Sequence, residues 1–300
     1  MQILTAIQNT KNYLISLRKK GKTIGFVPTM GALHRGHISL LERAKRENDI
    51  AVASIFVNPL QFNDKKDLEK YPQTLVQDIE KLQSARCDVL FTPAVDEMYP
   101  LGSGIQHAKA VFDLGMLDKV MEGKHRPGHF QGVCVAVKKL FDIVEPNKAY
   151  FGEKDFQQLA IIEHIVKSLD LKIEIISHPT VRDTDGLAMS SRNALLTSDE
   201  RKNAAHIYKT MIEAREKIAP ILKGEMQQLP LERGAGLKLT ELKKWVQEKI
   251  NKNPFLQLEY FEIVNSETLT PVQDWNETKS LRACIAVKVG TVRLIDNISL

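Results

Sequence analysis

Val27-Pro28-Thr29-Met30-Gly31-Ala32-Leu33-His34-Arg35-Gly36-His37-Ile38-Ser39 is the stretch whose reading decides the fold. Upstream, Thr23-Ile24-Gly25-Phe26-Val27 reads as a short buried strand ending at Pro28. Downstream, Ile38, Leu41 and Ala44 recur at helical spacing, with Glu42, Arg43, Lys45 and Arg46 on the other face, which is an amphipathic helix. A strand, a tight loop with two glycines and a helix start is how α/β proteins hold phosphate. Unpaired amide N–H groups and the positive end of the helix dipole then point at the anion.

Within His34-Arg35-Gly36-His37 the glycine keeps the backbone low, so that two imidazoles flank one point in space. At a helix N-terminus a histidine is biased to its neutral form, a donor of one N–H. Such donors gain most when charge builds on phosphate oxygens in a transition state. Competing patterns fit less well. Gly31 and Gly36 are spaced as in a Walker loop, but His37-Ile38 stands where Lys-Ser/Thr is required. The dinucleotide fingerprint Gly-x-Gly-x-x-Gly is absent, and no third ligand lies nearby to make the histidines a metal pair.

The next elements extend the same pattern. Ile50 to Val57 is a continuous apolar run, the mark of a strand buried on both faces. Leu75, Ile79 and Leu82 mark a helix over 75–85, and Asp88-Val89-Leu90-Phe91-Thr92 a further strand. Alternating strands and helices predict an α/β fold, a doubly wound parallel sheet with ligands at the carboxyl ends of its strands. One such end carries the histidine loop. Another carries Asn58-Pro59-Leu60-Gln61, whose amides suit a polar substrate and equally suit a turn start and a loop cap. Residues 63–71 read as a polar charged loop, either a solvated connection or a lid that excludes water.

Past Pro127-Gly128, the spacing of Val133, Val137, Leu140 and Phe141 predicts a helix, with Lys124, His125, Arg126 and His129 concentrated at its start. Ala149-Tyr150-Phe151 reads as a strand that turns at Gly152 into a helix. Lys154 then sits in the first helical turn, where the dipole disfavours a cation. A bound anion resolves that conflict; so does pairing with Asp155. Leu171 to Ser177 reads as a strand, and His178-Pro179 as a boundary between domains 1–178 and 179–300. Beyond it Asp185-Gly186 is a turn, and Ser190, Ser191 and Arg192 offer two hydroxyls and a planar cation suited to polyphosphate. Thr197 to Glu200 is a capping box opening a helix through Ala205 and Ile212. With strands at Tyr260 to Val264 and Ala283 to Val289, the remainder suits a smaller α+β domain. Residues 224–238 carry no motif.

Composition narrows the function classes. Three hundred residues allow one large or two modest domains, and 43% hydrophobic with 26% charged residues is ordinary for a globular protein. A net charge of +5 from 42 basic and 37 acidic residues suits small anionic substrates and argues for no nucleic-acid footprint. Lys65-Lys66 and Lys138-Lys139 read as solvated faces. Cys87, Cys134 and Cys284 are far apart, giving no disulfide framework or zinc motif. Cys134 reads as core. Neither a signal peptide nor a run of membrane-spanning length is visible, so a cytoplasmic protein without membrane partners is expected.

The blocks together carry a resemblance. His34-Arg35-Gly36-His37 resembles the His-x-Gly-His signature of the nucleotidyltransferase and class I aminoacyl-tRNA synthetase superfamily, and Met189-Ser190-Ser191-Arg192-Asn193 its second nucleotide signature. The longer run from Pro28 to His37, with Phe56-Val57-Asn58-Pro59-Leu60-Gln61-Phe62, Arg126-Pro127-Gly128-His129-Phe130 and Gly152-Glu153-Lys154-Asp155, resembles the pantothenate synthetase (pantoate–β-alanine ligase) family from about Gly25 through Leu196. The resemblance implies a Rossmann-like domain and an ATP-dependent ligation of pantoate and β-alanine through a pantoyl adenylate, releasing AMP and pyrophosphate. It implies that Met30, Gly31, Ala32, Leu33, His34, Arg35, Gly36, His37, Gly152, Glu153, Lys154, Asp155, Val181, Met189, Ser190, Ser191 and Arg192 bind ATP. His37, His34 and Lys154 would be catalytic, and Gln61, Gln158 and Asn58 would hold pantoate and β-alanine. Mg²⁺ is expected mainly on the ATP phosphates, with Asp78 as the candidate protein ligand. Gln77 replaces one acid of a family pair there, and Gln73 stands where the family has arginine. A homodimer is implied as well. Another adenylyltransferase and a non-catalytic nucleotide-binding module are the alternatives; a tRNA synthetase lacks room for an anticodon-reading domain.

Overall fold

The computed structural model describes residues 1–100, 112–222 and 237–300. Most of the motif-free stretch 224–238 therefore lies outside the described residues. The chain divides into two compact units, Met1–Val181 and Arg182–Leu300; the boundary anticipated at His178-Pro179 is three residues earlier.

The first unit runs β1 (Gln2–Leu4), α1 (Ile7–Arg18), β2 (Ile24–Thr29), α2 (Arg35–Glu47), β3 (Ile50–Ile55), α3 (Lys65–Lys70), α4 (Leu75–Ser84), β4 (Val89–Phe91), α5 (Val95–Met98), α6 (Met121–His125), α7 (His129–Val144), β5 (Lys148–Gly152), α8 (Phe156–Ser168) and β6 (Glu174–His178). Its six strands are all parallel, in the order β1-β4-β3-β2-β5-β6. Strand side chains alternate between the two faces, as the two-residue period requires. Phe26, Val52, Val89, Phe91, Ala149 and Phe151 pack with α1, α7 and α8 residues such as Leu14, Phe141 and Ile162. Val27, Ala51, Ala53, Leu90 and Tyr150 pack with Leu41, Ala44 and Leu82 of α2 and α4 on the other face. Helices on both faces of a parallel sheet make this the doubly wound α/β fold anticipated from the strand–helix alternation.

Several local expectations change. β2 continues through Pro28 to Thr29 instead of stopping. Beyond Phe26 it is in register with β3 only, so the missing proline N–H costs no ladder bond on the β5 side. Residues 65–70 form α3 rather than a loop: the Asp64 side chain caps it by accepting from the Lys66 amide, and no apolar face was present to reveal it. Lys139 is not on a solvated face; its ammonium donates to the Met98 carbonyl and stands over the Tyr99 ring. β6 begins at Glu174, later than the apolar run at Leu171 suggested. Leu171 and Ile173 spend their side chains packing against the core cluster instead. Cys134 is core as anticipated, and burial pushes its thiol up to about 12.

The second unit contains α9 (Ser198–Ala204), α10 (His206–Leu222), α11 (Leu239–Asn251) and β7 (Leu256–Asn265), β8 (Leu281–Val289) and β9 (Val292–Ser299). Its strands form an antiparallel sheet in that order. Met211, Ala214 and Ile218 of α10, Leu242 and Val246 of α11, and Ile263, Ile285 and Val287 of the sheet share one core. That is the smaller α+β domain. The Thr197–Glu200 capping box is present, but the helix it opens is interrupted at Ala205.

At the start of this unit Arg182 holds Asp296 in two bonds of 2.6 and 2.8 Å, donates to the Gly186 carbonyl and lies 3.8 Å over the Tyr208 ring. Asp296 is 5% exposed, so losing Arg182 removes the two-bond ion pair of a buried carboxylate. Arg182→Ala is expected to cost about 3–5 kcal/mol. Denaturant titration followed by far-UV circular dichroism checks this; an unchanged midpoint contradicts it.

Candidate active site

In a doubly wound sheet, ligands bind where the strand order reverses. Here β3 and β4 lie to one side of β2, and β5 and β6 to the other, so the reversal falls between β2 and β5. The carboxyl end of β2 delivers the histidine loop. The carboxyl end of β5 delivers Gly152 and a 3₁₀ turn, Glu153–Asp155, containing Lys154. Lys154 thus precedes α8 rather than sitting in its first turn. Its Nζ is 3.3 Å from Asp155 Oδ1 and its side chain is 18% exposed, so the pairing and the inward placement occur together.

The loop from Gly31 to His37 is held by its own bonds. Gly31 N donates to Thr29 Oγ1 at 3.2 Å, Ala32 N to Asp78 Oδ2 at 2.8 Å and Leu33 N to Asp78 Oδ1 at 2.7 Å. His34 N donates to His37 Nδ1 at 3.3 Å, Gly36 N to His34 Nδ1 at 3.1 Å, and His37 N to His34 O at 2.9 Å. The phosphate cradle expected of these amides is therefore spent internally. Successive backbone N–H groups make an anion-binding concavity, and its anion is the Asp78 carboxylate. Gly31 and Ala32 both take positive φ, 83° and 49°, and for alanine this costs about 1–2 kcal/mol.

What the loop presents instead is side chains. His34 caps α2, and the reciprocal bond from His34 N to His37 completes a capping box made of two imidazoles. Each Nδ1 accepts an amide proton, so in the neutral ring the proton resides on Nε2. The two rings are 4.0 Å apart. A Cβ on Gly36 would meet the His34 ring at 3.0 Å, and Val181 lies 3.8 Å from the same point. His37 is half-buried, yet desolvation holds its pKa well below the usual histidine range, aided by the charges of His34, Lys154 and Lys81.

The carboxyl end of β3 supplies the neighbouring segment. A 3₁₀ turn, Pro59–Gln61, follows Asn58. Asn58 is 2% exposed and fully engaged. Its Nδ2 donates to Gly132 O at 3.0 Å and Gln61 Oε1 at 3.1 Å, while its Oδ1 accepts from Leu60 N and Tyr99 OH. Asn58 therefore orients Gln61 and has no polar atom left for a substrate. Gln61 Nε2 reaches Met30 Sδ at 2.8 Å, linking the ends of β2 and β3. His129 Nδ1 and Arg126 Nη2 both donate to the Gln61 carbonyl, at 2.7 and 3.3 Å, which gives the basic cluster before α7 a positioning task. Gly132 is obligatory, because a Cβ would lie 2.2 Å from Leu60 O. Residues 63–71 are tethered by Asn63 to Pro127 O and by buried Tyr71 against Phe62. Gln158 is half-buried on α8, whereas its neighbour Gln157 is buried and ties residues 117–122 to α8.

Asp78, considered as a metal ligand, is fully buried with both oxygens occupied by Ala32 N, Leu33 N and Thr74 Oγ1. Among the described residues no three His, Cys, Asp or Glu gather as a metal site. In the second unit, Ser190 Oγ accepts from Arg192 N at 3.3 Å and caps a 3₁₀ turn, Ser191–Leu195. Gly186 N bonds Asp183 O, and Arg201 pairs Asp183 and Asp185, which fixes the turn read at Asp185-Gly186.

The depressed His37 pKa has a consequence for pH. Below about pH 6.5 the unfolded chain binds this proton and the native state refuses it, so the native state loses stability as pH falls; above that value the site is neutral in both states. His37→Gln is expected to reduce the drop in unfolding free energy between pH 7.5 and 5.5, measured by urea titration. An undiminished drop contradicts the assignment.

The family model described as pantoate–β-alanine ligase matches residues 2–299. A pantothenate synthetase of Porphyromonas gingivalis is 48% identical over 298 residues, covering 99% of each sequence. The crystal structure of pantothenate synthetase from Thermus thermophilus superposes with a TM-score of 0.85 at 40% identity, covering 99% of both chains. A pantoate–β-alanine ligase of Francisella tularensis, complexed with β,γ-ATP and β-alanine, gives 0.77 at 37% identity over 100% of this chain and 97% of its own. No helix among the described residues is long and apolar enough to cross a membrane. Matched from end to end by model, sequence and structure, the chain belongs to the pantothenate synthetase (pantoate–β-alanine ligase) family and is a ligase.

Proposed function

We propose that the chain ligates pantoate and β-alanine through a pantoyl adenylate. A pantoate carboxylate oxygen attacks the α-phosphorus of ATP, an O–P bond forms, and the bond to the β-phosphate breaks to release pyrophosphate. The amine of β-alanine then attacks the acyl carbon, the C–O bond to AMP breaks, and the nitrogen loses a proton. The observation that carries this reading is the pair of imidazoles at the β2/β5 switch point. Both Nδ1 atoms are engaged by amides, and Lys154 stands on the neighbouring strand end.

Attack at phosphorus demands positioning and neutralisation of spreading charge rather than a covalent group. Nε2–H of His37 and of His34 supplies neutral donors whose bonds strengthen as charge accumulates on the phosphate oxygens. Lys154 adds a fixed cation. Gln61, braced by Asn58, is assigned to pantoate and β-alanine, and Gln158 to pantoate. Ser190, Ser191 and Arg192, with the loop from Met30 to His37, residues Gly152 to Asp155, Val181 and Met189, are assigned to ATP. The family likeness to a protein solved with β,γ-ATP and β-alanine supports ATP as a substrate. Mg²⁺ is assigned to the triphosphate as part of that substrate, since this ion is held by one or two carboxylates at most, with phosphates and water supplying the rest. A cytoplasmic homodimer is carried over with the family.

His37→Ala is expected to retain the fold and slow adenylate formation by roughly 10²–10³-fold. Pyrophosphate release from ATP, Mg²⁺ and pantoate without β-alanine reads this step alone. Release at the wild-type rate by the variant removes the role given to His37.

A further inference from the structure

We propose that Asp78 and Lys81 of α4 are positioning residues for the ligation, a clamp that sets the shape of the histidine loop and through it the placement of His34 and His37. This rests on the function proposed above. Asp78 grips the amides of Ala32 and Leu33 at 2.8 and 2.7 Å, and Lys81 Nζ, three residues on, grips the Leu33 carbonyl at 2.6 Å. Both polar ends of residue 33 are thus held by one helix, at the position immediately before the imidazole cap.

Three further observations show that the grip is built rather than incidental. The carboxylate is fully buried and has a third donor in Thr74 Oγ1 at 3.2 Å. The loop it holds includes Ala32 at φ 49°, a conformation that persists only where surrounding bonds over-determine it. A Cβ on Gly31 would stand 3.2 Å from Asp78 Oδ2 and 3.1 Å from Ile55, so the loop is pressed closely against α4 and β3. Both side chains bond the backbone of the loop rather than the imidazoles. Lys81 also lends its charge to the field at His37, together with Lys154 and His34.

The test is Asp78→Asn, which keeps size but replaces one acceptor with an N–H₂ group facing an amide. Amide hydrogen exchange of Ala32 and Leu33 reads the clamp without any turnover. Their exchange is expected to accelerate at least about tenfold while β3 amides are unchanged, since local openings are independent of the core. Pyrophosphate release should fall about 10–100-fold in kcat, the scale of a 1 Å misplacement, with the pantoate KM within about twofold. Unchanged exchange at Ala32 and Leu33, or a full kcat despite lost protection, overturns the proposal. If Asp78→Asn does not fold, Lys81→Met decides: a several-fold kcat loss restored by Lys81→Arg supports the clamp, and wild-type kcat overturns it. A wild-type enzyme that releases no pyrophosphate with pantoate defeats the adenylate reading instead, and the exchange measurement still decides the clamp.

Discussion

The site depends on two hydrogen bonds that point inward. The amides of His34 and Gly36 donate to the Nδ1 atoms of His37 and His34, and an imidazole that accepts at one nitrogen must carry its neutral-state proton on the other. Desolvation and nearby cations then oppose a second proton on His37. The loop has exchanged an array of backbone donors for two directed side-chain donors. The amides of Gly31, Ala32, Leu33, His34, Gly36 and His37 are engaged within the protein, which lowers the ordering cost the loop carries into binding.

The fold supplies the position of that pair. Parallel strands place every carboxyl end on one edge, and the strand order reverses there between β2 and β5, the position at which such sheets bind ligands. Three of the segments that leave that edge carry candidate site residues: the histidine loop from β2, Asn58 to Gln61 from β3, and Gly152 to Asp155 from β5. The first two are braced by neighbouring side chains. Asp78 and Lys81 hold the first. Asn58, His129 and Arg126 hold the second, with the backbone of α7 pressed against Leu60 at Gly132. The buried polar residues Asn58, Asp78 and His129 all take part in this bracing.

Much of this was legible in the sequence because burial writes a periodic record. The apolar runs at β3 and β4 and the helical spacing in α2 and α7 are direct consequences of which faces meet the core. The two histidine-and-serine signatures were legible too, as side-chain types at fixed spacing. What was not legible is how amides are used. An amide leaves no trace in the sequence, so the letters of a phosphate cradle and of a loop closed around Asp78 are the same. A signal for that existed: Asp78 lies three residues past Leu75 and four before Leu82, a carboxylate within the apolar stripe of α4. Asn58 stays open between a substrate contact and a turn start for the same reason, since a buried amide and a substrate-binding amide are the same letter. Helix α3 has no buried residue, so burial left no pattern there to read.

The central claim is the tautomer of the imidazole pair, and two-bond ¹H–¹⁵N correlation spectra of histidine-labelled protein at pH 7.5 measure it directly. The account predicts that His34 and His37 both show a protonated Nε2 and an unprotonated, hydrogen-bond-accepting Nδ1. A proton on Nδ1 in either ring, or an imidazolium at His37, would contradict it.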